Sequence, residues 1–267
     1  MSASPPPPLI DEDTVDKIAS QVQLSGTYLL FMATSGVLAS IALLSESVPI
    51  LIGSMIVAPL MPPLALAPFA LVARRRGEAG RGLRVALVGL ALAFGTAWAT
   101  TAVMTALGVV ASDVVLMDLS LLQERVHPGW WSMAAAMAAG LAGTTAQASE
   151  KTDTLIGTVA ALALVPAVGA SAIAVHVGDL APALGGLLLL GMNIGLIVGM
   201  GIVALLVSAG RHGLRPLALV PLVIVVVVGL LLTWAQSTET VSKIPTNAGV
   251  TSNTASVPAS TSGLPPD

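Results

Sequence analysis

The sequence predicts an all-α, polytopic integral membrane protein with about seven transmembrane helices, built as two inverted three-helix repeats plus one extra helix. Three observations carry that reading. Of the 267 residues 55% are hydrophobic and only 9% charged, and the mean hydropathy is +0.92, far from soluble globular usage, where about a quarter of residues are charged. The apolar residues fall into runs of the length a helix needs to cross roughly 30 Å of hydrocarbon, about 20 residues. Two of those runs open on related segments.

Composition also excludes classes. The net charge is −3 and no basic stripe is interleaved with aromatics, so a nucleic-acid surface has no footprint. There is no cysteine, which removes disulfides, thiolate metal sites and cysteine nucleophiles.

The elements follow in order. Residues 1–26 form an N-terminal arm, prolines followed by acids, lacking the basic start and cleavage site of a signal peptide. Within it residues 11–24 space Val15, Ile18, Val22 and Leu24 as one apolar face, which predicts a short amphipathic helix at the membrane surface, with a disordered arm as the alternative. Hydropathy places spans at 27–44, 48–72, 85–108, 131–147, 155–176, 182–208 and 216–235. The fourth, WSMAAAMAAGLAGTTAQ, is short and rich in small residues, which fits a tilted, shielded or incomplete crossing. The first repeat is thus 27–108, an extracytoplasmic loop covers 109–130, and the second repeat is 131–208. The final helix lies within 209–235, and the polar tail 236–267 is expected to be disordered.

Charge gives orientation. Arg74, Arg75, Arg76, Arg81 and Arg84 in one loop, with Arg211, Arg215 and Lys151, share a side with the N-terminus. The positive-inside rule makes that side cytoplasmic.

The internal repeat aligns SESVPILIGSMIVAPLMPP, Ser45 to Pro63, with SEKTDTLIGTVAALALVPA, Ser149 to Ala167, without a gap. Glu46 meets Glu150, Gly53 meets Gly157, Ser54 meets Thr158 and Pro62 meets Pro166, while upstream Gly36 meets Gly140. An odd number of spans per copy inserts the second copy upside down. Secondary transporters recurrently use such inverted repeats, with midplane sites on discontinuous helices. A proline inside a span removes one backbone donor and frees a carbonyl, tolerated only where protein or water satisfies it. Pro59, Pro62 and Pro63, with Pro166 in the second copy, are therefore candidates to break their spans so that the backbone lines a site. A kinked packing helix is the plainer alternative.

These residues also carry a resemblance. GSMIVAPLMPP resembles the G-[AS]-M-[IL]-[IV]-A-P-L-M-G-P signature of a prokaryotic family of hydrophobic membrane proteins known as domain of unknown function 389. LIGTVAALALVPAVGA and LLLLGMNIGLIVG resemble its later G-x-A-[IV]-A-x-x-L-V-P-P and T-N-L blocks. The likeness runs from Gly26 to Ser208, with Pro62 in place of the usual glycine, Ala167 in place of a second proline and Met192 where threonine is usual. It implies a shared multi-span fold in a prokaryotic cytoplasmic membrane and brings no activity with it.

Polar residues at depth complete the candidates. Asn193, central in the sixth span, either coordinates a ligand or joins two helices. Gly191, Gly195 and Gly199 make consecutive GxxxG steps for close packing, within the subunit or in a homo-oligomer. Glu46 and Glu150 are candidate gates at opposite mouths, or acids placed favourably at helix starts. His176 and Asp179, three apart, are too few for a metal. No HExxH, GxSxG, Walker or dinucleotide motif is present, so an enzyme is not expected and no cofactor is implied.

The expected function is membrane transport of a small solute or ion. Its site is formed by Gly53, Ser54, Pro59, Pro62, Pro63, Gly157, Thr158, Pro166 and Asn193, with the lipid bilayer as the constant partner. A non-transporting scaffold or sensor is the alternative.

Overall fold

A computed structural model describes residues 12–109, 119–126, 130–148 and 154–208. The predicted final helix, the tail, residues 110–118 and the segment holding Glu150 and Lys151 lie outside the described residues. The described part is helical throughout: α1 Glu12–Gln21, α2 Gly26–Leu44, α3 Val48–Val57, α4 Met61–Val72, α5 Arg76–Ala106, α6 Ser120–Val126, α7 Trp130–Ala148, α8 Thr154–Val177 and α9 Leu180–Ser208.

The amphipathic segment is helical, opening on Glu12 and Asp13, whose charges suit the positive end of a helix dipole. Val15, Ile18, Ala19 and Val22 are buried, whereas Leu24, expected on the same face, is 51% exposed beyond the helix end. Ser25 then caps α2, its hydroxyl accepting from the Tyr28 amide at 3.1 Å.

The second predicted span is two helices. α3 and α4 are bent by 54° about a break of Ala58, Pro59 and Leu60. α4 is buried on nearly every side, from Pro63 to Ala70, and forms the centre of the core with Leu64, Leu66 and Phe69. A helix apolar all round belongs in such an interior. Helices α5, α8 and α9 pack around it.

Two boundaries differ from expectation. The arginine-rich stretch is helix, since α5 starts at Arg76 and pairs Arg81 with Glu78 one turn apart at 3.3 Å. The loop expected over 109–130 contains α6, whose Leu122 and Val126 are buried.

Gly26–Leu44, Arg76–Ala106 and Leu180–Val207 are each long and apolar enough to cross a membrane, and the bent pair α3 and α4 makes a fourth if it is one span. Leu83, Leu87, Val88 and Val103 on α5, and Leu184, Leu187 and Leu188 on α9, are exposed. Apolar surface on that scale fits a membrane protein.

Element bounds recur at one spacing. Ser45 and Ser149 are 104 positions apart (149 less 45). The same step carries both ends of α2 onto both ends of α7, and Arg76 at the start of α5 onto Leu180 at the start of α9. It also carries the buried Ile18 and Val22 of the α1 segment onto the buried Leu122 and Val126 of α6. Close approaches recur with it. A Cβ on Gly36 would collide with the Ala93 carbonyl, and one on Gly140 with the Ile197 carbonyl. Likewise Gly82 lies against the Pro63 carbonyl and Gly186 against the Ala167 carbonyl. In both cases the two members of the first contact move together by the same step onto the second.

Candidate functional site

The break is built from Ala58 and Pro59. The residue before a proline is pushed out of the helical region, and Ala58 is extended, at φ −72 and ψ 114. Pro59 has no N–H to return to the Met55 carbonyl, and Leu60 donates to the Ala58 carbonyl at 2.9 Å instead of reaching Ile56. The carbonyls of Met55 and Ile56 thereby lose their helical partners. One residue earlier, the Ser54 carbonyl is taken by the hydroxyl of the buried Ser35 on α2, at 2.8 Å. Pro62 and Pro63 fall in the first turn of α4, where a missing N–H costs the helix nothing.

The break therefore lies at Pro59, one turn ahead of Pro62, and it has no described counterpart in the second half. α8 runs unbroken from Thr154 to Val177 with Pro166 inside it. A single internal proline removes one bond and leaves the flanking turns to carry the helix; three prolines within five residues leave too few donors to bridge.

Pro59, Pro62 and Pro63 line a cavity of about 330 Å³ with Thr27, Tyr28 and Phe31 of α2 and the turn from Ser20 to Ser25. The Tyr28 hydroxyl donates to the Val85 carbonyl of α5 at 3.0 Å, which fixes the ring at the cavity wall. An adjoining, wider cavity of about 650 Å³ shares Ser20, Val22, Gln23 and Val85 and adds Asp16, Glu78 and Arg81. α1 roofs both. It is held by Arg75, which meets Asp16 at 2.5 Å, and by Arg81, which donates to the Ala19 carbonyl. Arg75, in the turn before α5, has its guanidinium pKa raised, mainly by the bond to Asp16.

The other predicted residues are placed apart from this cavity. Ser54 is buried and its hydroxyl donates within α3 to Leu51 at 2.6 Å. Gly53 is half-buried with open space beside it. Asn193 is fully buried on α9 and does not line the cavity. Gly157 and Thr158 lie on α8 where side chains are outside the described residues, as is all of Glu150. Gly191 is exposed with nothing near its Cβ position, so this step of the GxxxG run meets no helix among the described residues. Gly201, not singled out in the sequence, instead packs on Thr144 and Pro68.

Glu46 has a defined task. It sits at φ +50, and its carboxylate accepts from the Ser120 amide at 2.6 Å and the Ser120 hydroxyl at 2.8 Å, holding the start of α6. Those bonds, the hydroxyl first, hold its pKa below the usual carboxylate value. The sequence carried no sign of this pairing, because the partners are 74 residues apart.

Ser35 and the Ser20 to Ser25 turn were also missed. For Ser35 the available signal was a hydroxyl beside Gly36 in an apolar span, where polar groups join helices. His176 meets Trp98 edge-on with ring centroids 6.0 Å apart. Among the described residues no three His, Cys, Asp or Glu converge as a metal site would require.

The family model described as Domain of unknown function (DUF389) matches residues 55–199, from the end of α3 through most of α9. No curated protein and no solved structure matches the chain. The match takes in more than half of the 267 residues, including the break and three of the helices packed around it. The chain therefore belongs to the family described as Domain of unknown function (DUF389).

Proposed function

We propose that the protein is a cell-membrane transporter of a small solute or ion, whose site is the α3–α4 break in a frame of two inverted repeats. One observation carries the reading: Pro59, which breaks the second span, lines a cavity together with Pro62 and Pro63. Broken helices facing a cavity are how transporters accommodate irregular backbone at membrane depth.

Inversion is supported by contacts. α1 adjoins the start of α2, and Glu46, beyond its end, holds α6; the 19 residues of α2 separate them by about 28 Å at 1.5 Å per residue. α5 leaves from the α1 side, where Arg81 meets Ala19, and reaches the end of α8, where Trp98 meets His176. α9 starts just beyond that end, at Leu180, and runs back until Gly201 meets Pro68 on α4. α5 and α9, counterparts at the 104-residue step, thus point in opposite directions. The open Gly191 face of α9 supports a homo-oligomer.

The unbroken α8 favours a second reading, a membrane sensor or scaffold that uses the cavity only to bind. Osmotic swelling of proteoliposomes in a panel of polyols, amides and salts decides between them. Transport predicts a solute-selective rate above that of empty liposomes, lowered by Pro59→Ala. Rates equal to empty liposomes for every solute, from folded protein, leave the sensor reading.

A further inference from the structure

We infer that the cavity at the α3–α4 break binds an uncharged organic solute rich in hydroxyl groups, of the polyol class. The inference rests on the reading of that break as the site, and it names the ligand class.

Charge is the first argument. None of the described residues lining the 330 Å³ cavity is an acid or a base. The charged residues Asp16, Glu78 and Arg81 line the adjoining cavity instead. A charged ligand would find no counter-ion in this lining, whereas an uncharged one needs none.

Volume is the second. At roughly 30 Å³ per water molecule, the cavity is about ten times too large to grip a dehydrated ion between carbonyl oxygens, as ion filters do. It falls instead at the lower edge of small-molecule sites, about 300 Å³ and upward. The Phe31 ring and the pyrrolidine faces supply the apolar part of such a lining.

The balance of donors and acceptors is the third. Three lining residues are prolines and bring no N–H. The Tyr28 hydroxyl is engaged by Val85, the Ser20 hydroxyl by the Lys17 carbonyl at 2.7 Å, and the Gln23 amide by the Ser20 carbonyl at 3.1 Å. The hydroxyl oxygens of Ser20 and Tyr28 keep acceptor capacity, while the Thr27 hydroxyl, the Gln21 amide and the second N–H of Gln23 can donate. A wall that both accepts and donates matches a ligand whose groups do the same, as hydroxyls do.

The absence of cysteine makes a direct test available. Thr27→Cys places the sole thiol of the full chain in the cavity wall, and Lys17→Cys places one on the outer face of α1. In liposomes, each is treated with neutral, quaternary ammonium and sulfonate methanethiosulfonates of similar size, each rate divided by that with free 2-mercaptoethanol. The neutral reagent is expected to lead both charged ones by about tenfold or more at position 27, with no such preference at position 17. Xylitol is expected to slow the neutral reaction at position 27, and dimethyl sulfoxide, which only accepts, is not. Phe31→Cys repeats the measurement should Thr27→Cys misfold. A charged reagent that keeps pace with the neutral one, or equal protection by the two solutes, overturns the inference. Xylitol and salt fluxes in the same liposomes separate the two readings. Neutral selectivity without flux keeps this site and removes transport, whereas charged reagents prevailing in liposomes that pass ions keeps transport and removes this site.

Discussion

Glu46 and the paired glycines show how much single residues determine here. Because hydrogen bonds from Ser120 lower the Glu46 pKa from 4.5, their contribution to stability is full above that value and is lost as pH falls through the lower folded-state value. The wild-type melting temperature should therefore drop between about pH 5 and pH 3 by more than that of Glu46→Gln, which has no charge to lose. Parallel acid limbs for the two proteins would show that the bond to α6 does not matter to stability. Gly140 has the Ile197 backbone where a Cβ would go, whereas Gly191 has open space. Backbone cannot step aside as a flexible side chain can, so Gly140→Val should cost about 1–3 kcal/mol. Gly191→Val should stay within about 0.5 kcal/mol in the monomer. Thermal melts of the two variants make the comparison, and a larger loss at Gly191 would point to an interface between copies. Neither distinction is visible in the sequence, where Gly140 and Gly191 look alike: the difference lies in what a distant helix brings against each.

At the scale of elements, hydropathy located the starts of α2, α3 and α9 within two residues, because a long apolar run has few other places to go. It placed the start of α5 nine residues late, since the helix extends into a charged stretch that a hydropathy window discards. α6 was read as loop because seven residues give little periodicity; only its register with α1 identifies it. The break was legible as the prolines 59, 62 and 63, of which Pro59 makes it, but its cavity was not legible, because residues 20–28 meet residues 59–63 only through tertiary packing. The unequal fate of the two proline sites yields a prediction. Pro59→Ala restores a donor at the break and should slow labelling of Thr27→Cys as the helix closes over the cavity. Pro166→Ala, in a helix already continuous, should leave that rate unchanged. Equal effects would mean that the break is not what opens the cavity.

For the whole molecule, the decisive property is that one spacing relates helix bounds and packing contacts together. Coincident bounds alone are cheap, since spans resemble one another in length. A shared partner is a stronger constraint: Gly36 with Ala93 and Gly140 with Ile197 require two residues 57 positions apart to meet in both halves (93 less 36, and 197 less 140). Gly82 with Pro63 and Gly186 with Ala167 repeat the test on other helices. In the proposed inverted frame, extending the step to α1 and α6 gives each repeat an interfacial helix followed by three spans, which would put these two helices on opposite faces of the bilayer. That arrangement is open to measurement, because any introduced thiol is unique. In intact cells, an impermeant maleimide should label Glu124→Cys on α6 and leave Lys17→Cys on α1 unlabelled until the membrane is opened. The order follows from the arginines at the start of α5, which the positive-inside rule assigns to the α1 side. Labelling of both from the same side would remove the inverted frame, whereas the reverse order would keep the frame and turn the molecule over. In either orientation Ser20 and Gln21 of α1 line the cavity at Pro59, so the proposed site should face the compartment that α1 faces.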